Sequence, residues 1–386
     1  MRIVDVCAFY TPHGGGVRTY VERKLKVASA LGHEMIVLAP GAEDAVVERA
    51  PGALLATIKA PTFALDRRYR YFDDETSLHR ALDAWRPDVV EASSPWSSAS
   101  MVARWRGDAV RSLVMHADPL SAYAYRWFGT VASIGTIDRT FERYWRHLRR
   151  LDRAFDLVVT ASENLTRRLR GGGLGKVATI PMGVEPGYFS PDRRDPLLRE
   201  ELLARCGLGP EATLLLGVGR YSPEKRWSMV IDAAIAAGVH APVGLALVGE
   251  GRHGDRLIAR AGGSPHIVVG QPVKDRSRLA AIMASADALV HGCEAETFCM
   301  VAAEAKASGL PLIVPDRGGA ADHATGDRDR LYEAANGQSL RDTILTAAVD
   351  RRPVNLWRRP RQMDEHFAEL FARYAALCGQ SDRVAA

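Results

Sequence analysis

The chain has 386 residues, 47% of them hydrophobic and 25% charged, and a formal net charge of +5. That length suits two compact domains of under about 200 residues each, and the ample aromatic, β-branched and glycine content excludes disorder. No apolar run approaches the roughly 18 residues of a membrane span, and Met1-Arg2-Ile3-Val4 opens a strand-like run in place of a signal peptide.

Short apolar strands alternate with helical patterns throughout, the signature of βαβ units and parallel sheets. Arg2–Phe9 reads as the first strand, followed by Gly14-Gly15-Gly16 and a helix over Val17–Leu31 with apolar residues at 17, 21, 25, 28 and 31. Further strands are expected at Glu34–Ala39, Asp88–Ala92, Ser112–His116, Leu157–Ala161 and Val177–Pro181. A break rich in proline, glycine and charge spans 182–212. A second series then runs through Thr213–Val218, Gly244–Val248, His266–Val269, Ala288–His291 and Leu312–Pro315. Met363–Leu377 has helical spacing, and Ser381–Ala386 reads as a frayed end. The expected architecture is α/β, with two Rossmann-like doubly wound domains facing across a cleft: 1–182, 183–362, and a C-terminal helix over 363–386 that crosses back to the N-terminal domain. Open sheets of this kind bind ligands at the carboxyl ends of their strands.

Several strand ends carry residues suited to that task. Gly15 and Gly16 let backbone approach a ligand and expose helix N–H groups to phosphate, although three glycines also suit a plain tight turn. The run is not G-x-G-x-x-G and no acidic residue ends the second strand, which disfavours a nicotinamide or flavin. His116 closes a strand and could bond a substrate hydroxyl, or serve structure alone. Gly219-Arg220-Tyr221-Ser222-Pro223-Glu224-Lys225 follows a strand, so Arg220 and Lys225 could converge on a diphosphate. Gly249-Glu250-Gly251 is a turn-like signal. Glu296 and Glu304 are the most informative pair: a helix starting near Phe298 puts Glu304 about two turns in, on a small apolar surface where a carboxylate needs a partner or an open cleft.

Together these motifs resemble the retaining glycosyltransferases of family 4, which have the GT-B fold. The Gly-rich loop, His116, Met182-Gly183-Val184-Glu185, Gly219-Arg220…Lys225, Gly249-Glu250-Gly251 and Glu296-x7-Glu304 follow that family's order. The resemblance implies a hexosyltransferase with a UDP- or GDP-linked sugar as co-substrate, no cofactor and no metal. It implies that Glu304 holds the ribose and Glu296 the transferred sugar. Arg220 and Lys225 would neutralise the diphosphate with backbone groups of Gly15, Gly16, Phe298 and Cys299, Gly249 would line the donor site, and His116 would bind a sugar hydroxyl near the reaction centre. Cys299 stands where glycine is common, Met182 where Asn is, and Glu185 where Asp is; the last two bear less on chemistry.

The charge points to the acceptor. Residues 1–190 hold 26 Lys and Arg against 21 Asp and Glu, whereas 191–386 hold 25 of each. Ile137, Phe141, Tyr144, Leu148, Leu151 and Phe155 form a helical apolar stripe. Arg139, Arg143, Arg146, Arg150 and Arg153 repeat the same spacing on the far side. Either the arginines are solvated, or the Arg face or nearby Trp127, Phe128 and Trp145 meets an anionic membrane surface. The tract is too sparse for nucleic acid. With Pro87–Pro95, His116–Pro119 and the Tyr-rich 121–126, the chain is similar to family members that glycosylate membrane lipids, including sulfoquinovosyl diacylglycerol synthases. The implied acceptor is a lipid such as diacylglycerol or a glycolipid. Polysaccharide or polyprenyl-linked acceptors, and a nucleotide-sugar 2-epimerase, are the alternatives. Five Cys without CxxC or zinc spacing fit reduced thiols of a cytoplasmic protein, placed in solution or peripherally on the inner face of the membrane.

Overall fold

The first strand, β1 (Arg2–Cys7), is buried from Ile3 onward, as expected for an apolar run covered on both faces. In this computed structural model, which describes residues 1–10, 16–63, 69–116, 118–124, 134–350 and 359–385, β1 centres the sheet of one of two units. That unit takes Met1–Pro119, Trp127–Met182 and Met363–Ala386; the second takes Leu120–Arg126 and Gly183–Gln362.

The first sheet adds β2 (Glu34–Gly41), β3 (Ala45–Ala50), β4 (Ala53–Lys59), β5 (Val89–Ser93), β6 (Val110–Val114), β7 (Leu157–Thr160) and β8 (Val177–Thr179). Its order is β3-β4-β2-β1-β5-β6-β7-β8, parallel except for β3. Helices α1 (Gly16–Ala30), α2 (Glu75–Trp85), α3 (Ser97–Arg104), α4 (Ile134–Thr140), α5 (Glu142–Ala154) and α6 (Glu163–Gly171) belong to this unit. Local chemistry sets their ends: Asp74 accepts from the Thr76 N–H at the start of α2, and Ser162 accepts from the Leu165 N–H at the start of α6. The C-terminal helix Met363–Ala385 buries Met363, Phe367, Leu370, Phe371 and Tyr374 against this unit and outruns the Leu377 limit its spacing suggests.

A charged network is enclosed here. Lys24 of α1 lies 3.0 Å from Asp5 of β1 and 2.6 Å from Glu91 of β5, with all three side chains fully buried. Ser93 donates to Asp5 at 2.9 Å, and Tyr374 donates to Glu91 at 2.7 Å. Such a network is tolerable only because each charge has partners.

The second sheet comprises β9 (Thr213–Val218), β10 (Val243–Val248), β11 (Ile267–Gly270), β12 (Ala288–Val290), β13 (Leu312–Pro315) and β14 (Arg330–Tyr332), all parallel. Its order, β11-β10-β9-β12-β13-β14, is the doubly wound one, with the direction of winding reversed between β9 and β12. Helices α7 (Pro196–Arg205), α8 (Trp227–Gly238), α9 (Gly254–Ala261), α10 (Arg276–Ser285), α11 (Met300–Ala307) and α12 (Gly337–Val349) complete it. Among the described residues, no helix is long and apolar enough to cross a membrane.

Candidate active site

The loops leaving β9 and β12 meet beside the winding reversal. After β9, the chain makes one 3-10 turn at Pro223–Lys225, pinned by the Trp227 indole donating to the Arg220 carbonyl at 2.8 Å. Gly249 is required by this packing, because a Cβ there would fall 1.9 Å from the Gly219 carbonyl oxygen.

After β12 come His291, Gly292 and Cys293, then Glu296, Phe298 and Cys299. The Glu296 carbonyl accepts from the Gly319 N–H at 2.7 Å, and the Phe298 carbonyl accepts from His323 Nε2 at 2.7 Å. α11 starts at Met300, with Cys299 capping it in the left-handed region at φ 70°. Glu304 is therefore just over one turn into the helix, not two, and Glu296 lies in the loop before the cap.

The Lys225 ammonium contacts the Glu296 carboxylate directly. Burial would raise the Glu296 carboxyl, but Lys225 and then His291 outweigh it and hold it well below the ordinary carboxylate range. Burial would likewise lower Lys225, and Glu296 instead raises it. His291 Nε2 stands 3.3 Å from Glu296, and burial keeps that imidazole below its usual range. Next along the loop, Arg226 pairs with Glu294.

Glu304 is buried and does have a partner: Arg276 of α10 donates to it at 2.8 Å. Arg276 also stands 3.4 Å from Glu185, with its guanidinium 4.9 Å from the Phe189 ring centre. Glu185, assigned by sequence to the joint, thus reaches the same side chain that holds Glu304. Burial raises the Glu304 carboxyl and Arg276 partly offsets it.

Other expected residues fare differently. Arg220 does not converge with Lys225: it is exposed and reaches Glu224 at 3.5 Å, while Lys225 turns inward. In the first unit, His116 follows β6, packs edge-on against Tyr20 at 4.7 Å and is lowered by burial to about 4, hence neutral. Gly16 begins α1 and is exposed; Gly15, Trp127 and Phe128 lie outside the described residues.

Arg139, Arg143, Arg146, Arg150 and Arg153 are all exposed, and Ile137, Leu148, Leu151 and Phe155 are buried. Trp145 corrects the sequence expectation. It is buried, its indole donates to Asp138 at 3.2 Å, and no face of it is left for a membrane. Position 145 falls three before Leu148, so the spacing that buries Leu148 takes Trp145 inward too. Sequence reasoning missed Arg276, His291 and His323. A strand-end position like that of His116 was a signal for His291; nothing local marked the other two.

This fold is shared with solved structures. Sucrose-phosphate synthase from Thermosynechococcus elongatus superposes with a TM-score of 0.67 at 19% identity, over 99% of this chain and 98% of that one. The family model "Glycosyltransferase Family 4" matches residues 14–188, and "Glycosyl transferases group 1" matches 199–359. The GDP-mannose-dependent alpha-(1-6)-phosphatidylinositol dimannoside mannosyltransferase of Mycobacterium tuberculosis is 30% identical over 81% of this chain and 79% of its own. The GDP-mannose-dependent alpha-mannosyltransferase of Mycolicibacterium smegmatis is 28% identical over 100% of both. Two doubly wound units with this composition of loops define a GT-B glycosyltransferase that uses a nucleotide-sugar donor. The chain belongs to glycosyltransferase family 4.

Proposed function

We propose that the protein transfers mannose from GDP-mannose, with retention, to a hydroxyl of a membrane glycolipid of the phosphatidylinositol mannoside type. The supporting observation is the pairing of Lys225 with Glu296 and of Arg276 with Glu304 beside the winding reversal. The relatives described above use this donor, and one of them takes such an acceptor.

In this reading Glu304, aimed by Arg276, accepts from the ribose hydroxyls, and Glu296 accepts from hydroxyls of the mannose. Lys225 turns from Glu296 to the departing diphosphate, and the exposed Arg220 swings in to join it. N–H groups at Phe298 and Cys299 add donors there. The bond from the anomeric carbon to the diphosphate breaks, its electron pair leaving with the phosphate. The acceptor oxygen bonds to the same face and passes its proton to that phosphate. Charge grows on the leaving group as the bond breaks, so cations already placed favour the transition state over the ground state. Neutral His116 orients a sugar hydroxyl. The Arg139–Arg153 face of α4 and α5 supplies peripheral attraction to anionic lipid.

Purified protein, radiolabelled GDP-mannose and phosphatidylinositol mannosides in vesicles test the proposal. Labelled glycolipid with an α-linked sugar is expected. GDP release without labelled lipid, or isomerised donor without acceptor, would sink it.

A further inference from the structure

His116 packs against a side chain that the transfer chemistry does not use. Tyr20 of α1 meets the His116 imidazole edge-on, with ring centres 4.7 Å apart and ring planes at 73°. Tyr20 is buried, whereas His116 keeps part of its surface in solvent. Tyr20 has little room to turn, because Phe367 lies 4.9 Å from its ring centre and the Lys24 ammonium 5.7 Å.

The Tyr20 hydroxyl reaches the C-terminal helix. It stands 3.1 Å from His366 Nε2, and His366 Nδ1 stands 3.1 Å from the Ile180 carbonyl oxygen. A carbonyl only accepts, so Nδ1 carries the hydrogen, Nε2 is the acceptor and Tyr20 is the donor. Burial, reinforced by the charges of Glu91 and Asp5, raises the Tyr20 hydroxyl well above its ordinary value, so it stays protonated and able to donate. His366 is 1% exposed, so losing this bond would strand a buried nitrogen.

We propose that Tyr20 is a positioning residue for His116, and that His366 of the C-terminal helix sets Tyr20 in place; this rests on the reading that His116 binds a sugar hydroxyl. A hydrogen bond to that hydroxyl is directional, and an imidazole free to turn would be in line with it only part of the time. The Tyr20 ring edge removes that freedom without bringing a charge to His116. Misalignment of this kind slows the reaction more than it weakens donor binding. The tie between Tyr20 and His366 spans 346 positions, so local spacing in the sequence hides it.

Turnover of the full chain is measured as GDP release from GDP-mannose with vesicles carrying phosphatidylinositol mannosides. Tyr20→Leu removes the ring edge and should lower kcat at least about tenfold, with the KM for GDP-mannose within about twofold of the parent. Tyr20→Phe keeps the ring but cuts the tie to His366, and should lower kcat about threefold. His366→Leu should match it, and the pair should lose no more than either alone. In a His116→Ala background, Tyr20→Leu should cost less than about twofold, since its partner is already gone. Tm and calorimetric GDP affinity establish that each variant is folded, and Tyr20→Phe carries the same cycle if Tyr20→Leu does not fold. A parent that releases no GDP, or His116→Ala at parental turnover, would overturn the reading of His116 and this inference with it. Parental kcat in a folded Tyr20→Leu, or an undiminished further loss when it is added to His116→Ala, would overturn this inference alone.

Discussion

Arg276 donates to Glu304 at 2.8 Å, so the buried carboxylate of α11 takes its counter-charge from α10. Without the guanidinium, burial would act unopposed on a carboxyl already raised above its ordinary value. Arg276→Leu and Glu304→Gln are each expected to weaken GDP-mannose binding at least tenfold, about 1.4 kcal/mol. The double variant should lose little more than either single one, since both remove the same interaction. Calorimetric titration measures all three; fully additive losses would mean that Arg276 does not act through Glu304.

Lys225 has two tasks, and its loss should show in two measurements. Lys225→Ala is expected to reduce turnover at least tenfold, since one charged contact to the leaving group contributes about 1.5–3 kcal/mol. It also leaves Glu296 enclosed without its ammonium, so Tm should fall as well. Unchanged turnover in a folded variant would remove Lys225 from the reaction.

The arginine face of α4 and α5 is separable from the fold. Arg139, Arg143 and Arg146 are exposed, so replacing all three with Gln should leave Tm within a degree or two, because exposed charges contribute little to stability. Binding to anionic vesicles should weaken by about 1 kcal/mol per lost charge and become less salt-dependent. Cosedimentation with vesicles of graded anionic content gives the comparison, and an unaffected bound fraction refutes the membrane role of this face.

His116 makes the first unit sensitive to acid. Its folded value is lowered by burial to about 4 from the ordinary imidazole value of 6.5. Between those limits the unfolded chain binds the extra proton, so stability rises with pH across the window and is lost as pH falls through it. Urea titrations at stepped pH should show that slope, and His116→Gln should flatten it. An equal slope in the variant would mean that His116 protonates as readily folded as unfolded.

Gly249 admits no side chain without moving backbone. Gly249→Ala places a methyl 1.9 Å from the Gly219 carbonyl oxygen, so a loss of about 2 kcal/mol or more is expected. Donor affinity should fall in parallel, because the displaced backbone carries Arg220 and Lys225. Thermal melts with and without GDP read both effects.

What the sequence made legible follows from what each element contributes. β7 and β9 are largely apolar runs buried on both faces, and such runs announce parallel strands. β3 was illegible because most of it is exposed, with Val46 and Val47 showing 58% and 46% of their surface, so no burial pattern shaped it. Of the site, Lys225 and Glu296 were legible as charges in loops after strands, where an α/β sheet binds ligands, and Glu304 as a carboxylate on an otherwise small, apolar helix face. Arg276 was not: its tie to Glu304 joins two helices 28 residues apart, and an exposed-looking arginine at a helix start gives no sign of its partner. Arg220 shows the converse. Its position was readable, but its direction depends on Glu224, four residues on.

The C-terminal helix completes the first unit with residues from the far end of the chain, Tyr374 reaching Glu91 across 283 positions. During synthesis domains ordinarily finish in order from the N-terminus. Here the order inverts: every residue of Gly183–Gln362 emerges before the helix that encloses Lys24, Asp5 and Glu91. The sheet that carries Lys225 and Glu304 can close while the older one still waits with its carboxylates in water. A ribosome stalled short of residue 363 would thus hold a finished donor-side unit beside an unfinished partner.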